Sequence, residues 1–134
     1  MNDYLLDTNV LILALRRNLR VLDWLEATQH TRYLYVSVIS RTEVLAGMQP
    51  REEQMTRALL GSLINLPVYT SIGDRAGLLI YEQARRGHQV SFPDALIAAT
   101  ALEHDLTLVT TNVRHFPMLD KQVTPLADHL PTTE

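Results

Sequence analysis

The chain has 134 residues, with 12 basic and 15 acidic side chains, a net charge of −3 and no cysteine. The absence of cysteine excludes a disulfide scaffold, a thiolate zinc site, an iron–sulfur cluster and a cysteine nucleophile. The apolar fraction of 46 % is too high for a disordered chain, and the acidic balance argues against a passive, strongly basic nucleic-acid binder.

The length suits one domain with a sizeable core, so we expect a single domain over residues 1–134, in which residues 127–134 form a flexible tail. The longest apolar run near the N-terminus, Val10–Leu15, is far shorter than the roughly 20 residues that a membrane span needs. The first residues carry no basic leader. These features predict a soluble, cytoplasmic protein.

The N-terminal half of the chain begins with a short apolar run, Tyr4-Leu5-Leu6, that ends at Asp7-Thr8-Asn9. This pattern predicts a buried strand followed by a helix start, because Asp, Thr and Asn all cap helices. Asn18 is expected to end the first helix in a left-handed conformation. The predicted elements of this half are strands at 4–6 and 33–36 and helices at 10–17, 19–25, 37–48 and 51–64.

The C-terminal half continues the alternation of strands and helices. Ser91-Phe92-Pro93 opens an almost wholly apolar helix, and Gly87 closes the helix before it. The predicted elements are strands at 67–70, 106–109 and 122–126 and helices at 73–86 and 94–104.

The resulting order is β-α-α-β-α-α-β-α-α-β-β. Strands that alternate with helices indicate parallel pairing through right-handed crossovers, so helices should cover both faces of the sheet. In such α/β folds ligands bind beyond the carboxyl ends of the strands. The residues that follow each strand are therefore the place to look for a site.

Three carboxylates stand near these strand ends. Asp7 follows the first strand, Glu43 lies early in the helix after the second, and Asp94 opens the apolar helix before the fourth. Each has a plain alternative as a helix cap, since Ser40 and Ser91 stand three residues before Glu43 and Asp94 in the capping-box spacing. Together, however, three acids in a semi-buried cleft repel one another unless a cation neutralises them. Oxygen ligands without thiolates favour Mg²⁺ or Mn²⁺.

Four segments together resemble the sequence motifs of PIN-domain ribonucleases, in particular the VapC toxins of type II toxin–antitoxin pairs. The segments keep the order of the family motifs and span nearly the whole chain. They are Leu5–Ile12, Ser40–Gly47, Ser91–Ala101 and Leu108–Phe116. The resemblance implies a single PIN domain, a three-layer α/β/α sandwich with a central parallel sheet of four to five strands.

The resemblance also implies a Mg²⁺- or Mn²⁺-dependent endoribonuclease. Asp7, Glu43 and Asp94 are the expected catalytic residues, with Asp7 and Asp94 as direct metal ligands and Glu43 bound directly or through water. Many family members have a further aspartate in the fourth motif, where this chain has Asn112, which could coordinate through its carbonyl or bond a metal-bound water. The auxiliary residues expected around the metal are Thr8, Thr110 and Asn112. The candidates for contact with RNA phosphate are Arg114 and, more weakly, Arg16, Arg17, Arg41 and Arg86.

The partners implied by the resemblance are an RNA substrate, a cognate VapB-type antitoxin that inserts a segment into the acidic cleft, and a second copy of the chain in a homodimer. DNA would be contacted only through the antitoxin. Two alternatives remain open. One is a catalytically weak or inactive PIN-fold interaction module, which the missing fourth acid favours. The other is a phosphoacceptor signalling domain, for which Asp3 and Asp7 are poorly spaced and Lys121 is the only lysine.

Overall fold

Five strands and six α-helices alternate along residues 2–132, the residues that this computed structural model describes. The strands are β1 (Tyr4–Leu6), β2 (Leu34–Ser37), β3 (Ile64–Leu66), β4 (Thr107–Thr110) and β5 (Val123–Pro125). The helices are α1 (Thr8–Leu15), α2 (Leu19–Gln29), α3 (Val38–Gly47), α4 (Glu53–Gly61), α5 (Thr70–Arg85) and α6 (Phe92–Glu103). Short 3-10 turns occupy Pro50–Glu52, Val113–His115, Pro117–Gln122 and Leu126–His129.

The strands form one parallel sheet in the order β3-β2-β1-β4-β5. Central β1 pairs Leu5 with Tyr35 of β2 on one side and with Leu108 of β4 on the other. The amide of Asp7 continues this ladder with a 3.0 Å bond to the Val109 carbonyl. The predicted alternation and parallel pairing are therefore confirmed, and the ladder holds Asp7 at the carboxyl edge of the sheet.

Alternate residues of each strand enter two separate cores, as the period of two along a strand requires. Leu6, Val36 and Val109 pack with α1, α2 and α4 on one face. Leu5 and Leu108 pack with α6 on the other, where Phe116 is 1 % exposed. This arrangement confirms the three-layer α/β/α sandwich.

The third strand and the start of the helix after it lie earlier in the chain than predicted, and the helix before it is shorter. β3 is Ile64–Leu66 and not 67–70, α4 ends at Gly61 and α5 already begins at Thr70. The Asn65 side-chain amide donates to the carbonyls of Leu60 and Leu63, which closes the end of α4 before the strand begins. Pro67 has no amide hydrogen for a ladder and follows directly after the strand. The apolar run of α4 continues into β3, so periodicity alone placed the helix end too late.

Two further local predictions are corrected. The left-handed residue after α1 is Arg17, with a φ of 63°. Asn18 instead caps α2 by accepting a 3.2 Å bond from the Val21 amide. Its short side chain serves better at a helix N-terminus, where it satisfies an otherwise unbonded amide.

The segment expected to be a flexible tail from residue 127 is packed as far as residue 130. Leu126 is 3 % exposed, and the ring of His129 lies 5.4 Å from those of both Tyr4 and Trp24. Leu130 packs against the core of α1 and α2, because this turn covers the edge of that apolar cluster. Residues 133 and 134, also assigned to the tail, lie outside the described residues. Among residues 2–132 no helix is long and apolar enough to cross a membrane.

Candidate active site

Asp7 lies at the carboxyl end of the central strand, where α1 begins. It is 7 % exposed, and both of its carboxylate oxygens are engaged. The Thr8 amide donates to Oδ1 at 2.8 Å, and the Thr110 hydroxyl donates to Oδ2 at 2.6 Å. Thr110 is itself held by the Asn112 amide, which donates to its Oγ1 at 3.0 Å. The turn after β4 therefore fixes the orientation of the carboxylate that follows β1.

Glu43 faces the same edge from the second turn of α3. The Thr8 hydroxyl donates to Glu43 Oε1 at 2.7 Å and lies 2.9 Å from the hydroxyl oxygen of Ser40, which is fully buried. α3 begins at Val38 because Ser37 caps it by accepting from the Ile39 amide. Ser40 is therefore not a cap, and Glu43 is not the far end of a capping box. The helix presents Glu43 to the residue next to Asp7.

Asp94 reaches this edge from the first turn of α6. The Ser91 hydroxyl caps that helix by accepting from the Asp94 amide at 3.2 Å, and Asp7 is itself the N-cap of α1, so the capping alternative is confirmed for Ser91 and Asp7. The Asp94 side chain is 25 % exposed, and its Oδ2 lies 3.5 Å from Nδ1 of His115. The other ring nitrogen of His115 lies 2.9 Å from the Asn112 amide nitrogen. Asn112 thus contacts His115 with its side chain and Thr110 with its backbone.

Electrostatic coupling joins the three carboxylates. Burial raises the pKa of Asp7 above its ordinary value, and the charge of Asp94 raises it further. The hydrogen bonds from Thr110 and Thr8 and the charge of His115 lower this pKa, but by less. Burial also raises the pKa of Asp94, and the charge of Glu43 raises it further. The hydrogen bond with Ser91 and the charge of His115 lower this pKa, but by less. Each ionised carboxylate therefore disfavours ionisation of a neighbour. A cation among them would relieve this repulsion.

The donor set suits a hard divalent cation, since every candidate ligand is an oxygen of Asp7, Glu43 or Asp94. Across residues 2–132, however, no three carboxylate or imidazole side chains converge closely enough to hold an ion as they stand. Glu43 is directed towards Thr8, and Asp94 towards His115. Glu43 is exposed and Asp94 is partly exposed, so neither side chain is fixed by burial as that of Asp7 is.

The residues predicted around the site divide into two groups. Thr8, Thr110 and Asn112 all contact a carboxylate or a residue that does, whereas Arg114 lies exposed on the turn after β4. Arg41 donates to the Asn65 side chain and has a structural contact. Sequence reasoning missed Ser40 and His115. His115 lies within the fourth motif, one residue from Arg114, which was the only signal available for it.

Replacing Thr110 with valine should destabilise the fold. The variant keeps the shape of the side chain but leaves Asp7 Oδ2 and the Asn112 amide without their partner, at a cost of about 1–3 kcal/mol. Loss of that bond also raises the pKa of Asp7 further. Urea unfolding measures the cost, and Thr110→Ser, which restores the hydroxyl, should recover most of it. A Thr110→Val variant as stable as the wild type would show that the hydroxyl contributes nothing to the fold.

Comparison with known proteins agrees with this geometry. A family model described as "PIN domain" matches residues 4–121. "Ribonuclease VapC10" of Mycobacterium tuberculosis is 37 % identical over 123 residues, which are 92 % of either chain. A "Toxin-antitoxin complex from Klebsiella pneumoniae" superposes with a TM-score of 0.76 at 30 % identity, over 91 % of this chain and 96 % of that one.

A further structure, DNA-bound VapBC from Salmonella typhimurium, superposes with a TM-score of 0.82 over 93 % of this chain and 98 % of that one. Its sequence identity is 23 %, so this likeness supports the fold and not a function. The family match overturns the phosphoacceptor alternative, since it includes Asp7, Glu43 and Asp94. The chain therefore belongs to the PIN-domain family, among the VapC-type proteins.

Proposed function

We propose that this chain is a Mg²⁺- or Mn²⁺-dependent endoribonuclease and the toxin of a VapBC-type toxin–antitoxin pair. The observation that carries the proposal is the gathering of Asp7, Glu43 and Asp94 at one sheet edge, where burial and mutual repulsion raise the pKa of both aspartates. Ionised carboxylates in a semi-buried cleft are costly without a counter-charge, so packing of the core does not explain why the three acids lie together.

Asp7, Asp94 and Glu43 are the residues that would hold the cation, and a bound divalent cation supplies an activated water and offsets charge on the phosphate oxygens. Asp7 is the fixed member, because the Thr8 amide and the Thr110 hydroxyl hold both of its oxygens. Glu43 and Asp94 are the adjustable members. Asn112 adds no charge and steadies the site through Thr110 and His115. Exposed Arg114 would meet an RNA phosphate.

Cleavage of structured RNAs by the purified chain, with Mg²⁺, with Mn²⁺ and with EDTA, tests the activity. We expect cuts within the RNA that require the cation. Cation binding without cleavage of any RNA would overturn the enzyme and favour the PIN-fold interaction module.

An apolar groove between α1, α2 and α4 is the site we assign to the antitoxin partner. It encloses about 520 Å³ and is lined by side chains that include Leu15, Leu22, Met55 and Leu59. Several similar structures are titled as toxin–antitoxin or VapBC complexes, so a partner chain is expected here too. None of Asp7, Glu43 and Asp94 lines the groove, so it is distinct from the acidic cleft into which the resemblance predicts an antitoxin segment.

Ala58→Glu should weaken the antitoxin complex by at least about a hundredfold while RNA cleavage persists. Ala58 is exposed and lines the groove, so the variant places a charge where an apolar partner surface must pack, without filling the core. Ala27→Glu, on an exposed part of α2 outside the groove lining, is the matched control. Titration of the cognate antitoxin measures both affinities. Equal affinity in the two variants would place the antitoxin elsewhere.

The homodimer and the cytoplasmic location stay predictions. Light scattering during size-exclusion chromatography, with and without the antitoxin, measures the number of copies. A mass of one chain at micromolar concentration would contradict the dimer.

A further inference from the structure

The groove that we assign to the antitoxin has two ends that differ. At one end, Arg17, which lies just before α2, reaches the start of α4 and places its Nη1 3.9 Å from the Met55 sulfur. At the other end, the side-chain amide of Gln29, the last residue of α2, donates to the Ser62 carbonyl at 3.2 Å, directly after α4. α2 and α4 therefore run side by side in the same direction and form the long walls of the groove.

Two charged side chains of opposite sign line this otherwise uncharged groove within the described residues. Arg17 stands at the end where α2 and α4 begin. Glu26 stands on α2, about 10 Å along the helix from its first residue, Leu19. Both side chains are exposed, and neither is in an ion pair with another side chain of residues 2–132. The groove thus presents a positive charge at one end and a negative charge about two helical turns further along.

Arg17 occupies a backbone position that favours glycine. Its φ is 63°, its amide donates to the Ala14 carbonyl at 3.1 Å, and the next amide donates to the Leu13 carbonyl at the same distance. Helices that end in this way most often have glycine at the left-handed residue, because a Cβ is unfavourable there. The guanidinium has one hydrogen-bond partner in the described part of the chain, the Met55 sulfur, which is a weak acceptor. Its remaining N–H groups are thus available at the end of the groove.

A partner that covers the groove removes water from both charges. A guanidinium or carboxylate that loses water without gaining a partner of opposite charge is strongly unfavourable. A wholly apolar helix therefore fits poorly at Arg17 and at Glu26. A helix that places a carboxylate at Arg17 and an ammonium or guanidinium at Glu26 pairs both charges, and arginine is able to bind a carboxylate through two parallel hydrogen bonds.

We propose that the groove binds an amphipathic antitoxin helix with an acidic residue opposite Arg17 and a basic residue opposite Glu26, about two turns apart on its apolar face. This inference rests on the proposed function, which assigns the groove to the antitoxin. The two pairs fix the direction of the helix, because a reversed helix would place like charges together. The apolar side chains of the groove supply affinity, and the two charges reject antitoxins that lack this pattern.

Titration of the cognate antitoxin tests each charge. We expect Arg17→Gly and Glu26→Gln each to weaken binding at least about tenfold, since each leaves a charge of the antitoxin unpaired in the covered groove. Arg17→Gly should nevertheless melt at an equal or higher temperature, because glycine suits the left-handed backbone. Asp105→Gly is the matched control and should keep the wild-type affinity. Asp105 has a φ of 53° in the same position after α6 and does not line the groove.

Ala58→Glu, titrated in parallel, separates this inference from the proposed function. Weaker binding by Ala58→Glu, with wild-type affinity in Arg17→Gly and Glu26→Gln, would overturn the charge pairing and leave the groove as the antitoxin site. Wild-type affinity in all three variants would overturn the groove as well. Loss of RNA cleavage by Arg17→Gly, with unchanged antitoxin affinity, would assign Arg17 to RNA.

Two synthetic peptides test the chemistry of the partner directly. Both form a helix with the same leucine face. One carries glutamate and arginine about seven residues apart on that face, and the other carries glutamine at both positions. We expect the wild-type chain to bind the charged peptide at least about tenfold more tightly, and Arg17→Glu to bind it no better than the glutamine peptide. Equal affinity of the wild type for the two peptides would overturn the charge pairing.

Discussion

Asp94→Asn should lose RNA cleavage by roughly a hundredfold to a thousandfold, the usual cost of removing one electrostatic stabiliser from an active site, and should melt at a higher temperature than the wild type. The pKa of Asp94 is raised by burial and by Glu43, so its ionised form costs stability at neutral pH. Asparagine removes that charge and keeps the size of the side chain. Opposite changes in activity and stability are typical of a residue retained for function.

Cleavage rates at saturating cation and thermal unfolding in EDTA at pH 7.5 provide the two measurements. Asp74→Asn is the control, since Asp74 is an exposed acid near the start of α5 and its loss changes the net charge equally. The control should cut RNA at the wild-type rate with an unchanged melting temperature. An Asp94→Asn variant that cleaves RNA as the control does would remove Asp94 from the catalytic residues. If the variant were inactive because it is unfolded, its melting curve would lack an unfolding transition.

The parallel sandwich was predictable because β1 and β2 are short apolar runs that each lead directly into a helix-capping residue, Asp7 and Ser37. Asp7-Thr8-Asn9 after Tyr4–Leu6 shows the pattern most clearly. The position of β3 was not predictable from local sequence, since the run from Leu59 to Leu66 fits a helix as well as a strand. Pairing of Ile64–Leu66 with β2 and the bonds from Asn65 decide it. The strand pairing joins residues that are far apart in the chain, such as Tyr35 and Ile64, and local spacing carries no record of it.

The same limit applies to the site. The motifs identified Asp7, Glu43 and Asp94 because each departs from an apolar surrounding. The site contacts of Ser40 and His115 were not predicted because they cross the chain, to Thr8 over 32 residues and to Asp94 over 21. Asn112 was expected at the metal or its water, and the structure shows its side chain at His115. The charged residues of the site could therefore be predicted from local sequence. The residues that orient them are determined by tertiary packing and could not.

Saturating Mg²⁺ or Mn²⁺ should stabilise the fold strongly at neutral pH and hardly at all near pH 4. A cation at a hundred times its dissociation constant adds about 2.7 kcal/mol, or roughly 10 °C in melting temperature for a domain of this size. The pKa values of Asp7 and Asp94 are raised above 3.8, so the stability linked to their protonation is fully present below pH 3.8 and is lost as the pH rises through the raised values. At neutral pH a bound cation offsets the charge of the two ionised aspartates, as protons do in acid. At low pH the cation and the protons compete for the same carboxylates.

Thermal unfolding between pH 4 and pH 8, with the cation and with NaCl of equal ionic strength, measures this linkage. Without the cation the melting temperature should fall as the pH rises through the titration of the two aspartates, and the cation should cancel that part of the fall. Asp94→Asn, which lacks one of the coupled charges, should show a weaker dependence on both pH and cation. The same cation effect in both proteins would mean that binding occurs away from Asp94. Because Asp7 is held by Thr8 and Thr110 whatever the cation does, a variant that keeps part of the effect would show that the cation is still bound by the remaining carboxylates, Asp7 and Glu43.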